Sequence, residues 1–259
     1  EVPKWNPMNV CSYHLQEAGA TPEQELAYAL ATAISVLDTV KAGGQVPKSD
    51  FETVFGRISF FVNAGVRFVT ELCKMRAFVE LWEEIGRERY GVTSPKALLF
   101  RYGVQVNSLG LPRPWDQQWS LRLQQILAYE TDLLEYEDIF DGSHVIESKT
   151  EELKALARDT LADLDARGGA TQSIDYMKES LVGAHIERIK AIESGDLTVV
   201  GVNRYTETEE SPLAGGDGSI QTVDPAEESA QVRDLKEWRS KRDASAVDEA
   251  LAALKQAAQ

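Results

Sequence analysis

Apolar positions in the first hundred residues follow two alternating rhythms. Met8-Asn9-Val10-Cys11-Ser12-Tyr13 and Ile58-Ser59-Phe60-Phe61-Val62 are short, densely apolar runs, the pattern of parallel strands covered on both faces. Between them, Leu26, Leu30, Ala33, Ile34 and Leu37 recur at helical spacing. Thr21 stands at the cap of that segment, Pro22 at its first turn and Gln24 at capping-box spacing. A helix is predicted over 21–40, stopped by Gly43-Gly44. A second long helical pattern runs over 65–90 through Phe68, Leu72, Met75, Phe78, Val79, Trp82 and Ile85, ended by Gly91. A third strand is predicted over 97–106. This β–α–β–α–β order calls for an α/β fold with a parallel sheet and right-handed crossovers.

The alternation then stops. Leu111-Pro112-Arg113-Pro114-Trp115 reads as a loop, and 117–134 as a helix whose apolar contribution is Leu121, Leu123, Ile126 and Leu127. Further helices are predicted over 147–166, 174–194, 225–242 and 244–259, with a short strand at 197–202. Residues 205–224 are rich in Glu, Ser, Gly and Thr and read as a linker. Three βα-type strands cannot close a barrel, which needs eight. The expected architecture is a partial β/α (TIM-type) barrel over 1–204, then the linker, then a helical segment over 225–259. The opening Glu1-Val2-Pro3-Lys4 lacks an initiator methionine, so the chain reads as a piece of something longer.

Composition narrows the function. A net charge of −15 argues against nucleic-acid or anionic-membrane partners held by the global field, so any anionic ligand must meet a local basic cluster. Cys11 and Cys73, the only cysteines, both fall in apolar segments and read as buried free thiols suited to a reducing cytoplasm. Zinc and calcium spacings are absent, so no metal ligands are assigned, and the acidic run from Glu130 to Asp141 reads as a solvated rim.

Candidate chemistry concentrates where strands give way to helices. His14, just after the first strand, can donate to a carbonyl oxygen and steady charge there; alternatively it is an ordinary hydrogen-bonded loop histidine. Tyr13 beside it favours packing. Arg57, Lys96 and Arg101 flank the second and third strands, and neighbouring strands lie about 4.8 Å apart, so their side chains can converge on one phosphate or carboxylate. Surface pairing with nearby glutamates is the competing reading. Ser59, Asn63 and Gln105 add hydrogen-bonding groups on the same strands. The expectation is that all of these face one hollow beside the imidazole. Lys74, Arg76, Arg87, Glu88 and Arg89 read as the solvated face of the long helix, and His144 and His185 as structural.

Four segments carry a resemblance: Asn9-Val10-Cys11-Ser12-Tyr13-His14-Leu15-Gln16-Glu17-Ala18-Gly19-Ala20, Arg57-Ile58-Ser59-Phe60-Phe61, Lys74-Met75-Arg76-Ala77 and Val200-Gly201-Val202-Asn203-Arg204-Tyr205. Together they resemble the large barrel domain of adenosylcobalamin-dependent acyl-CoA mutases. Cys11, the run Phe100–Ser108 and Pro114-Trp115-Asp116-Gln117-Gln118-Trp119 resemble the branch that converts ethylmalonyl-CoA to methylsuccinyl-CoA. Gly103, where methylmalonyl-CoA mutases carry histidine, points to the same branch.

The resemblance implies a radical carbon-skeleton rearrangement with adenosylcobalamin as cofactor, an acyl-CoA as substrate, and a homodimeric parent. His14 matches the histidine that hydrogen-bonds the thioester carbonyl, with Tyr13 beside it. Arg57 and Ser59 match strand residues that meet the acyl-CoA, Lys96 a lysine at the coenzyme A moiety, and Arg101 and Gln105 a strand facing substrate and corrin. It also implies parts that this chain does not carry: an N-terminal barrel half, a cobalamin domain with its cobalt ligand, and a stretch between Leu111 and Pro112, read as an internal deletion. A methylmalonyl-CoA or isobutyryl-CoA mutase, a non-catalytic mutase-associated remnant, and an acyl-CoA binding module are the rival readings.

Overall fold

A computed structural model describes residues 6–105, 114–207 and 224–257. The end of the predicted third strand at Val106, the Leu111–Arg113 loop with its junction, and most of the predicted linker lie outside the described residues. The chain divides into two compact units. Residues 6–105 and 120–207 belong to the larger, 114–119 and 224–257 to the smaller.

The larger unit is built on three parallel strands in the order β1 (Met8–Cys11), β2 (Ile58–Asn63), β3 (Tyr102–Gln105). Register pairs Asn9 with Ser59 and Cys11 with Phe61, then Phe61 with Gly103 and Asn63 with Gln105. The strands therefore start at one rim and finish at the other. Because side chains alternate across a strand, Val10, Ile58, Phe60 and Val62 share one face and are buried. Asn9, Cys11, Ser59, Phe61 and Gly103 share the other.

Among the described residues of the larger unit, helices pack on the first face. After β1 come α1 (Tyr13–Glu17) and α2 (Pro22–Gly43). In α2 the Thr21 hydroxyl accepts from the Gln24 N–H, and the Gln24 side chain accepts from the Thr21 N–H, so the capping box forms. Gly44 closes the helix at φ +65°, a left-handed conformation that a side chain would strain. Long and apolar enough to cross a membrane, α2 instead buries ten of its residues here. Next come α3 (Phe51–Phe55), α4 (Phe68–Glu88) and α5 (Pro95–Leu98). Phe78 and Trp82 of α4 meet Phe60 and Phe100 at ring separations of 5.0–6.5 Å. Each such buried aromatic contributes on the order of 2–3 kcal/mol from desolvation.

The chain continues through α6 (Pro114–Tyr129), α7 (His144–Ala166) and α8 (Ile174–Ser194). Leu153, Ala157 and Leu164 of α7 are buried, and the helix packs across α2 and α4 as an outer layer. Arg89 ties the seam, with Nη2 2.8 Å from Asp38 and Nη1 2.9 Å from Asp165. The smaller unit holds α9 (Pro225–Lys241), capped by Asp224, and α10 (Ala244–Ala257).

Several expectations are corrected. Tyr13 and His14 do not end a strand. Pairing stops at Cys11, the Ser12 N–H donates to the Phe61 carbonyl, and the chain turns at once into α1. Residues 97–98 of the expected third strand are helical, the end of a short helix over Pro95–Leu98 in which Pro95 sits naturally in the first turn. The strand expected at 197–202 is a turn with one isolated bridge, Val200 to Arg204. Gly201 adopts φ +77°, and the Asn203 side chain bonds Ile192 O, Leu197 O and Val199 N, which locks the turn. α6 ends at Tyr129, and its Leu121, Leu123, Ile126 and Leu127 are exposed rather than core. Cys11 is an exposed free thiol, because odd positions of β1 face the uncovered side; Cys73 is free and buried.

Candidate functional site

At the carboxyl rim, Tyr13 and His14 open α1. Their rings lie 3.8 Å apart, and the Tyr13 ring meets Phe61 edge-on at 5.0 Å. His14 is exposed and Tyr13 half-buried. The Phe61 ring lies across Gly103, where a Cβ would come within 2.9 Å of its Cδ2. The absence of a side chain at 103 therefore lets the aromatic group settle on β3.

Beneath α1 lies a charged network that the sequence reading missed. Lys74 is fully buried, so its assignment to a solvated helix face is corrected. Its ammonium lies 2.5 Å from Glu25 Oε2, 2.6 Å from Glu71 Oε2, 2.9 Å from Gln16 Oε1 and 2.8 Å from the Asn63 carbonyl. Glu25 Oε1 accepts from the Ser12 hydroxyl and the Asn63 N–H, each at 2.9 Å. Burial pushes the Glu25 carboxyl up; Lys74 and the hydrogen bonds pull it down without cancelling that push. A signal was available, since Lys74 falls at i−3 and i−4 from Ala77 and Phe78 on the apolar stripe of α4.

The amino rim is different. Arg57, Lys96 and Arg101, with Glu52, Ser94 and Leu99, line a cleft of about 340 Å³. Among the described residues none of the three cations pairs with a carboxylate, and buried Arg101 Nε and Nη2 have no hydrogen-bond partner. The one acid in the lining, Glu52, turns to the Thr93 N–H and hydroxyl at 2.6 and 2.9 Å, which lowers its pKa. A cleft with unneutralised guanidinium groups suits an anion with several oxygens, such as a phosphate.

The sequence candidates thus fall into two groups rather than one hollow. Arg57 and Arg101 immediately precede β2 and β3, and parallel pairing puts all strand starts on the rim opposite His14. Lys96 joins them from α5. Asn63 and Gln105, register partners, lie at the carboxyl rim with His14 and Tyr13. Ser59 lies between the rims, buried, its Oγ accepting from Asn9 Nδ2 at 3.0 Å and donating to the Met8 carbonyl at 3.3 Å. Arg57, just before β2, and Asn63, at its end, are six residues apart, about 20 Å at strand rise. The uncovered face connects the two rims.

A sequence model described as methylmalonyl-CoA mutase matches residues 1–114 and again 106–259. The chain belongs to the methylmalonyl-CoA mutase family. Members of this family act on acyl-CoA substrates and generally depend on adenosylcobalamin. The chain is 55% identical over 298 aligned positions to the ethylmalonyl-CoA mutase of Cereibacter sphaeroides, covering 99% of this chain and 45% of that relative. Against the ethylmalonyl-CoA mutase of Methylorubrum extorquens the figures are 54%, 99% and 44%. The methylmalonyl-CoA mutase of Rhizobium meliloti is 29% identical over 98% of this chain and 40% of its own length. The chain therefore spans less than half the length of these curated relatives.

Within this family the two rims have complementary chemistry: cations without partners at one end, an imidazole that can donate to a carbonyl at the other. The described residues hold no group of three or more His, Cys, Asp or Glu side chains able to ligate a metal. The chemistry open to these residues is that of meeting an anion at one rim and donating a hydrogen bond at the other.

Proposed function

We propose that this chain is the acyl-CoA-binding part of an adenosylcobalamin-dependent mutase that converts ethylmalonyl-CoA to methylsuccinyl-CoA. In this reading the coenzyme A phosphates sit in the cleft of Arg57, Lys96 and Arg101. The pantetheine arm crosses the uncovered sheet face past Ser59 and Phe61, and the thioester carbonyl accepts a hydrogen bond from His14. Tyr13 and Phe61 shield that carbonyl from water, which strengthens the bond. Adenosylcobalamin, when bound by the complete enzyme, supplies the radical chemistry; the complete enzyme is a homodimer.

The observation that carries this reading is the unpartnered Arg101 guanidinium in a three-cation cleft, on the same sheet as the exposed imidazole. Identity near 55% to two ethylmalonyl-CoA mutases, against 29% to a methylmalonyl-CoA mutase, favours the ethylmalonyl substrate over the methylmalonyl and isobutyryl alternatives. The same alignment supports an internal deletion, and we read the three parallel strands with their crossover helices as part of a TIM-type barrel. The alignment extends over 298 positions against 259 residues, and the family match falls into two pieces meeting at 106–114. On β3, Tyr102 and Val104, which share the covered face with Phe60 and Val62, are 42% and 37% exposed, as expected where a covering helix is missing.

Titration calorimetry with coenzyme A tests the binding half of the proposal. Removing one charge-assisted contact at Arg101 or Arg57 is expected to weaken binding about 10- to 100-fold, from about 1.5–3 kcal/mol per such bond. Affinity indifferent to both substitutions contradicts it. A polypeptide of these 259 residues, supplied with adenosylcobalamin and ethylmalonyl-CoA, is expected to show no turnover, because three strands do not enclose a substrate. Measurable turnover contradicts that expectation.

A further inference from the structure

The buried charges under α1 point to a role that neither the family match nor the substrate reading assigns. Five segments meet at the Lys74 ammonium and the Glu25 carboxylate: the exit of β1 at Ser12, α1 at Gln16, α2 at Glu25, the exit of β2 at Asn63, and α4 at Lys74 and Glu71. Two of them bracket the imidazole in sequence. Ser12, just before Tyr13-His14, donates to Glu25; Gln16, just after, accepts from Lys74 and donates to Glu71 at 3.2 Å. Gly65 leaves the room this needs, since a Cβ there would come 3.2 Å from Gln16 Nε2.

A helix of five residues has almost no stability of its own, so α1 must be held by tertiary contacts. Its far end is fixed by close packing. Gly19, at φ +112°, lies against α8, where a Cβ would fall 2.5 Å from His185 Cβ. Its near end and inner face are fixed by the network. Every proton of Lys74 has an acceptor, and Glu25 accepts on both oxygens, so the arrangement admits one geometry rather than several.

We propose that Lys74 and Glu25, acting through Gln16 and Ser12, are positioning residues that set the direction of the His14 ring. Their importance for catalysis rests on the acyl-CoA reading above, whereas the placement of the ring does not. A buried pair can also serve stability alone, and the two roles separate experimentally. Replacing both partners of a buried pair with apolar groups commonly restores stability lost on removing one. Ring placement, by contrast, is lost in either case.

The experiment is a ¹H–¹³C correlation spectrum of the imidazole Cε1–Hε1 groups in this chain, read beside thermal unfolding. Three histidines give three signals, and His14→Gln identifies the one of interest. Tilted by 31° with its centroid 3.8 Å from that of Tyr13, the His14 ring carries a ring-current shift that reports its placement. Gln16→Ala, which removes the tie to α1 and one acceptor of Lys74, is expected to move the His14 signal towards the free-histidine position with a smaller loss of Tm than Lys74→Met. Lys74→Met/Glu25→Leu is expected to recover most of the Tm lost by Lys74→Met alone and still show the displaced signal. Leu153→Ala, in the core at α7, is expected to lower Tm and leave the signal in place. An unmoved His14 signal in Gln16→Ala overturns the proposal, whether or not the double variant folds. Because no acyl-CoA is present, failure here is distinct from failure of coenzyme A binding.

Discussion

At the carboxyl rim of the sheet Lys74 is buried completely, yet every proton it can donate has an acceptor; at the amino rim Arg101 keeps two buried nitrogens without one. Both groups lose water. Only the first regains its hydrogen bonds inside the protein. Desolvating a cation without a partner is costly, so such a group survives where a ligand supplies the missing acceptor or where function outweighs the cost. One rim thus uses charge to fix its own backbone, and the other, in the proposed reading, holds charge for an incoming anion. A buried charge by itself does not mark a binding site. The accounting of its partners does.

The largest expected effect comes from breaking the filled rim. Lys74→Ala leaves Glu25 buried without its counter-ion and is expected to destabilise the larger unit by about 3–5 kcal/mol, read by urea unfolding. The corresponding change at the other rim has the opposite character. Arg101→Ala removes no internal bond, so stability should hold or rise slightly, while coenzyme A affinity falls by the one to two orders of magnitude given above. A loss of stability at Arg101 matching that at Lys74 would erase the contrast between the rims.

Gly103→Ala sharpens the comparison from the sheet face. Its Cβ would press to 2.9 Å on the Phe61 ring, and accommodating it is expected to cost about 1–3 kcal/mol and shift the Tyr13 and Phe61 signals in a spectrum of the aromatic side chains. An unchanged spectrum would show that Phe61 is not seated on β3.

The smallest effect is a pH dependence with opposite signs at the two rims. Glu52 is held below the ordinary value of 4.5 by its bonds from Thr93, so its contribution is present above that pH and fades as pH falls through the lowered value. Glu25 is raised above 4.5 by burial, so its proton-linked contribution is complete below that pH and fades as pH rises through the raised value. Comparing unfolding of Glu52→Gln and Glu25→Gln with the parent across pH should therefore give difference curves that slope in opposite directions. Parallel slopes would contradict the assignment.

Much of this arrangement can be read from the sequence where the governing forces are local. The Thr21–Gln24 capping box, the αL stop at Gly44 and the apolar run of β2 each depend on residues within a few positions, and each forms as the pattern predicts. What escapes is set by distant partners. Lys74 meets Glu25 across 49 positions, so its charge suggests solvent while its place on the stripe of α4 indicates the interior. The division of Arg57 and Arg101 from His14 follows from counting strand starts and ends, a rule of parallel sheets that motif spacing alone does not apply. Tyr13 looks like a strand residue by composition, yet pairing ends at Cys11, and after the bond from the Ser12 N–H to the Phe61 carbonyl the chain turns into α1.

The most direct test is a titration of ethylmalonyl-CoA into this chain, followed at the His14 Cε1–Hε1 signal and by calorimetry together. If one ligand spans both rims, the imidazole signal should shift along the same isotherm that reports phosphate binding, and Arg101→Ala should weaken both alike. Saturable binding that leaves the His14 signal untouched, or a shift indifferent to Arg101, would contradict the account.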